Sequence, residues 1–148
     1  MQRTAVPSYT RDVARVLIVD DETSVLNLLK TVLEASAFEV ETAKSAMEAT
    51  TRLRHAKYDL VLTDMRMETP ISGYDVVRVA QQMHPRPTIA ILTAFPIPSA
   101  DWRSSGADAL LVKGTDVMDL PKKLRSLLKL RPEGEENDSS RGKNAGAR

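Results

Sequence analysis

Cysteine is absent from this 148-residue chain, which excludes a disulfide framework, a cysteine-ligated zinc site and a thiol nucleophile. Histidine is scarce: His55 and His84 are too few for a His-rich metal site. No sign of charge dominates, because 21 Lys plus Arg face 20 Asp plus Glu for a formal net charge of +1. That balance gives no general attraction to nucleic acid or to an acidic membrane, so neither is expected as a partner. No segment approaches the roughly 18 apolar residues of a membrane span. Met1 to Ala14 carries Arg3 and Arg11 without an apolar stretch of signal-peptide length, so the expected location is the cytoplasm.

What is present is one domain between two polar ends. Residues 1–14 read as a flexible arm, and 15–130 as a single folded unit. Residues 131–148 read as a disordered tail, since only Ala145 and Ala147 there are hydrophobic. Within 15–130, short apolar runs alternate with helical patterns. Val16-Leu17-Ile18-Val19 reads as a strand buried on both faces, followed by a helix capped by Asp21 or Thr23 with Val25, Leu26, Leu29, Val32 and Leu33 inward. Phe38 to Thr42 alternates like an outer strand, and Ser45 with Glu48 forms a capping box before a helix over 46–55.

Tyr58 to Thr63 is a third strand, and Tyr74 to Met83 a helix stopped by Pro85 and Pro87. Thr88 to Thr93 and Ala109 to Val112 are further strands. The last helix aligns Val117, Leu120, Leu124, Leu127 and Leu128, and Pro121 requires its regular part to begin close by. The alternation predicts an α/β fold, a doubly wound five-stranded parallel sheet with helices on both faces.

Polar groups stand immediately after these strands: Asp20 and Asp21 after the first, Asp64 after the third, Thr93 at the end of the fourth and Lys113 after the fifth. In open α/β sheets the carboxyl ends of the strands form the binding crevice, so these groups converge. Carboxylates beside one lysine and one hydroxyl suit a hard cation together with an anion, the requirement of phosphoryl chemistry.

Through Val19-Asp20-Asp21-Glu22, Leu62-Thr63-Asp64-Met65-Arg66-Met67, Leu92-Thr93-Ala94 and Val112-Lys113, the sequence resembles the receiver domains of bacterial two-component response regulators over about residues 15–130. The resemblance implies the flavodoxin-like strand order 2-1-3-4-5. It makes Asp64 the phosphoacceptor, fed by a histidine kinase or histidine phosphotransfer protein, and implies Mg²⁺ held by Asp20, Asp21, Asp64 and the backbone carbonyl of Arg66. Lys113 and Thr93 would engage the phosphoryl oxygens. Self-phosphorylation and autodephosphorylation would be its only chemistry, with no external metabolite turned over and an unidentified downstream protein as listener.

The chain departs from the family pattern in four places. Gly114 replaces the usual proline after the lysine, so a cis Lys-Pro bond is not expected. Leu110 replaces the usual aromatic residue three before the lysine. The loop Met67-Glu68-Thr69-Pro70-Ile71-Ser72-Gly73 displaces its proline and gains one residue before the glycine. Two prolines precede a fourth helix expected to be short or irregular, at most Ser99 to Ser105, with Phe95 and Trp102 as exposed anchors. These departures leave two readings: a stand-alone, phosphorylation-controlled protein-binding switch, or a pseudo-receiver acting as a constitutive interaction module. His55 and His84, at helix ends, read as structural, and Lys122, Lys123, Arg125, Lys129 and Arg131 read as a solvated basic face.

Overall fold

The computed structural model describes residues 13–94, 97–114 and 117–130. Most of the expected arm, the 131–148 tail, Arg131 and Phe95 lie outside them. The elements run β1 (Arg15–Val19), α1 (Thr23–Ala35), β2 (Glu39–Ala43), α2 (Ala46–His55), β3 (Leu60–Thr63), α3 (Ser72–Gln81), β4 (Thr88–Thr93), α4 (Ser99–Ser104) and β5 (Ala109–Val112), then a 3₁₀ turn (Val117–Asp119) and α5 (Leu120–Leu130). All strand pairs are parallel, in the order β2-β1-β3-β4-β5, as the alternation and the resemblance predict. No helix among the described residues is long and apolar enough to cross a membrane.

The unbroken apolar strands have a two-sided reason. Leu17, Val19, Val61, Ile89 and Ile91 point into a core formed with α2 and α3, while Val16, Ile18, Leu60, Leu62, Ala90 and Leu92 point into a second core with α1 and α5. Period two sends neighbours to opposite faces, so a strand covered on both faces must be apolar at every position. Each fully buried Leu or Ile side chain contributes about 1.5–3 kcal/mol.

Helix ends account for most differences from expectation. Glu22 is the N-cap of α1 and makes no side-chain cap bond; neither Asp21 nor Thr23 caps the helix. α3 starts two residues earlier than the apolar pattern suggested, at Ser72. Ser45 does accept the Glu48 N–H at 3.0 Å, but the reciprocal Glu48 bond goes to the Lys44 N–H at 2.7 Å, one residue before the cap. Pro121 occupies the first turn of α5, where its missing N–H leaves no helical bond unmade. His55 ends α2, its ring bonded to the Thr51 carbonyl, whereas His84 lies beyond the end of α3.

The basic run on α5 is not uniformly solvated. The Arg125 guanidinium stacks 4.1 Å from the Phe38 ring and donates to the Ser36 carbonyl at the end of α1, while Lys122, Lys123 and Lys129 are exposed. Arg125 therefore ties α5 to α1.

Candidate functional site

The sheet itself positions the polar residues. Each strand ladder continues one hydrogen bond past its last strand residue: Asp20 N–H to the Ala43 carbonyl (3.1 Å), Asp64 N–H to the Val19 carbonyl (2.8 Å) and Lys113 N–H to the Thr93 carbonyl (2.7 Å). Asp20, Asp64 and Lys113 are thus fixed by backbone pairing at one edge, and the distant motifs meet there.

The Lys113 ammonium is shared by two buried carboxylates, 2.7 Å from Asp20 Oδ2 and 3.3 Å from Asp64 Oδ2. Their other oxygens are held as well, Asp20 Oδ1 by the Glu22 N–H (2.9 Å) and Asp64 Oδ1 by the Met65 N–H (2.8 Å). Asp20 is 2% exposed and Asp64 8%. Burial pushes the Asp64 carboxyl above its ordinary value and the Asp20 charge adds to that, with Lys113 and the Met65 N–H opposing. Burial alone would lower the Lys113 pKa, but its bonds and charge contacts with Asp20, then Asp64, outweigh burial and raise it.

Asp21 is exposed, yet one carboxylate oxygen each from Asp20, Asp21 and Asp64 all lie within 4.8 Å of one another. Ligands on opposite sides of Mg²⁺, each about 2.1 Å away, stand about 4.2 Å apart, so this spread needs only side-chain adjustment. Three carboxylates against one ammonium also leave negative charge for a divalent cation to neutralise. The donor set fits a hard, oxygen-seeking cation.

Thr93 is buried at the end of β4. A cavity of about 270 Å³ lies beside it, lined by Met65, Arg66, Tyr74, Ile97 and Asp101 among others. Arg66 itself is exposed and sits between two held residues: the Met65 carbonyl accepts from the Gly73 N–H (2.8 Å), and the Met67 N–H donates to the Thr69 carbonyl (3.0 Å). All six sequence-predicted site residues are therefore at this edge or in the loop beside it.

Two neighbours were not assigned a role from sequence. An ideal Cβ built on Gly73 would stand 2.4 Å from the Asp64 carbonyl oxygen, so only glycine lets α3 start against the phosphoacceptor candidate's backbone. Glu68 projects away from its loop to the first N–H of α2, Ala46 (2.9 and 3.2 Å). Burial pushes its carboxyl up, but N–H groups of Glu68 itself, Ala46 and Met47 prevail and hold it below the ordinary value. The signal available in the sequence was a glutamate in the loop that departs from the family pattern.

The remaining departures also take shape. Gly114 has φ +95°, a backbone region closed to proline and disfavoured for other side chains, and its bond to Lys113 is not cis. Among the described residues no atom lies within 4 Å of a Cβ built there, so Gly114→Ala isolates the conformational effect and is expected to destabilise by about 1 kcal/mol. Urea unfolding checks this, and an unchanged midpoint would show the turn to be freely adaptable. Leu110 is partly buried against the α2–α3 core. α4 has six residues, as its prolines predict. Trp102, expected as an exposed anchor, is only 9% exposed and packs into that same core, because it is the one large apolar side chain this six-residue helix has to bury.

The sequence matches the family model for the response regulator receiver domain over residues 16–125. It is 35% identical over 125 residues to the response regulator protein PilR of Pseudomonas aeruginosa, covering 82% of this chain and 28% of PilR. It is 33% identical over 121 residues to the transcriptional regulatory protein PrrA of Mycobacterium leprae, covering 79% and 51%. The chain thus spans about a quarter to a half of these relatives. Among solved structures, a CheY-like receiver domain protein from Methanospirillum hungatei aligns with TM-score 0.73 and 27% identity over 80% of this chain and 95% of that one. The response regulator TrrA of Thermotoga maritima, in complex with Mg²⁺–BeF, aligns with TM-score 0.69 and 31% identity over 77% and 98%.

Proposed function

Because the chain belongs to the response regulator receiver family of two-component systems, we propose that Asp64 accepts a phosphoryl group from a histidine kinase or histidine phosphotransfer protein and that the aspartyl phosphate switches binding of a downstream protein. The observation that carries this reading is the shared ammonium: Lys113 bridges Asp20 and Asp64 at the strand edge, beside buried Thr93. An Asp64 carboxylate oxygen attacks the donor phosphorus. The new O–P bond replaces the donor's P–N bond, and the imidazole leaves with the electron pair and takes up a proton.

Asp20, Asp21, Asp64 and the Arg66 carbonyl would hold Mg²⁺, which supplies neutralisation of the charge on the transferring group. Lys113 is close enough to Asp64 to pass from the carboxylate to a phosphoryl oxygen, and the Thr93 hydroxyl donates to another. Phosphorylation replaces one negative charge by about two and adds acceptor oxygens, drawing Thr93 and the following loop toward Asp64. Water then attacks phosphorus and restores the carboxylate, so no external metabolite is turned over. We place the protein in the cytoplasm, with residues 15–130 as its receiver domain.

Incubation with acetyl phosphate and Mg²⁺ should add one phosphoryl group to the intact mass, and Asp64→Asn or a chelator should abolish the gain. Labelling of Asp64→Asn at the wild-type rate would overturn the assignment. A phosphorylated protein that binds its partner no differently from the unphosphorylated one would select the pseudo-receiver reading, which Leu110 and the six-residue α4 favour.

A further inference from the structure

Glu68 links two parts of the fold that the family's motifs do not connect. It lies in the β3–α3 loop, two residues after Arg66, and its carboxylate accepts from the Ala46 N–H at the start of α2, 22 residues away in sequence. The loop around it is closed on itself. Met67 N–H bonds to the Thr69 carbonyl, Thr69 N–H to Ser72 Oγ (2.7 Å), and Gly73 N–H back to the Met65 carbonyl. Such a ring moves as a unit unless an outside contact fixes it. α2 is a firm anchor, since Ala46, Ala49 and Leu53 are buried in the core.

We propose that Glu68 is a positioning residue for the metal site: its clamp on the α2 N-terminus fixes the loop and thereby the Arg66 backbone carbonyl. The inference rests on the metal site of the proposed function. Mg²⁺ demands near-ideal octahedral geometry, so a ligand carbonyl on a loop that samples several positions binds it only in the fraction correctly placed. Outer partners of metal ligands typically carry tenfold or more in affinity; a loop tether acting through one backbone ligand belongs at the low end.

Calorimetric titration of the full chain with Mg²⁺ tests this. Glu68→Ala should weaken binding about five- to tenfold. Glu68→Gln, whose amide oxygen still accepts from Ala46, should stay within about twofold of wild type. Ser45→Ala removes the acceptor of the Glu48 N–H at the same helix end but keeps the Ala46–Glu68 bonds and the loop, so it should weaken Mg²⁺ binding less than Glu68→Ala does. Wild-type affinity in Glu68→Ala, equal weakening in Ser45→Ala, or a Gln variant as weak as Ala would each overturn the positioning role while leaving the metal site intact. Absence of Mg²⁺ binding by the wild type would overturn the metal site itself, and the inference with it. Urea midpoints measured alongside confirm that each variant is folded during the titration.

Discussion

Lys113→Ala is expected to destabilise the metal-free protein by about 3 kcal/mol at neutral pH, the scale of removing one partner from a buried ion pair. The Lys113 side chain is 20% exposed and the two carboxylate side chains 2% and 9%, so truncation leaves two largely buried carboxylates without their shared cation. The pH dependence distinguishes this from a packing defect. In the native state the Asp64 pKa is raised, so the stability it contributes is present in acid and is lost as pH rises through the folded value. Without Lys113 that value rises further, and Asp20 loses its partner too. The deficit of the variant should therefore be smaller near pH 3, where the Asp64 carboxyl is protonated in both proteins, and grow toward neutrality.

Above the raised pKa of Lys113 the wild type loses the same interaction, because a group whose folded pKa is raised stabilises only while protonated. The two proteins should then converge in alkali. Saturating Mg²⁺ should narrow the gap at pH 7, since carboxylates no longer neutralised by Lys113 bind the cation more tightly and the variant therefore gains more by mass action. Urea unfolding in chelator at pH 3 and pH 7, and at pH 7 with Mg²⁺, reads all of this. An equal deficit at both pH values would show that the lysine's aliphatic stem, not its charge, holds the site.

What was legible in the sequence depended on how far apart the interacting residues stand. Val16 to Val19 declares a two-sided strand because every position must be apolar, and Asp20 follows because the ladder continues one bond further. Asp64 and Lys113 were found by the same local rule applied at other strand ends. Pro96 and Pro98 foretold a short α4 by backbone chemistry alone. Features that depend on tertiary partners were not legible. Glu68 caps a helix from another part of the chain, Arg125 ends α1 from α5, and Trp102 turns inward to pack with the core that α2 and α3 share. The start of α3 departs from the apolar pattern for a related reason: Ser72 and Gly73 are poor helix formers, yet both are buried and helical because the loop's own bonds hold them.

Gly73→Ala carries the sharpest contrast between local and tertiary effects. By helix propensity alone the change should stabilise, by roughly 1 kcal/mol, since alanine is the best helix former and glycine among the worst. The new Cβ, however, would lie 2.4 Å from the Asp64 carbonyl oxygen and 2.7 Å from the Met65 Cα. Both are backbone atoms, so no side-chain rotation relieves the contact. Either α3 moves away from β3, breaking the 2.8 Å bond from the Gly73 N–H to the Met65 carbonyl, or Asp64 and Met65 move. Overpacking of this kind costs up to about 3 kcal/mol, which outweighs the propensity gain and leaves a net loss of about 2 kcal/mol in urea unfolding. The Asp64 carboxylate depends on the Met65 N–H for one of its bonds. Displacing that peptide should therefore slow labelling by acetyl phosphate at least tenfold even where the protein remains folded. Unaltered labelling with reduced stability would mean that α3 yields and the strand end does not. Unaltered stability would mean that the helix start is looser than its hydrogen bonds imply.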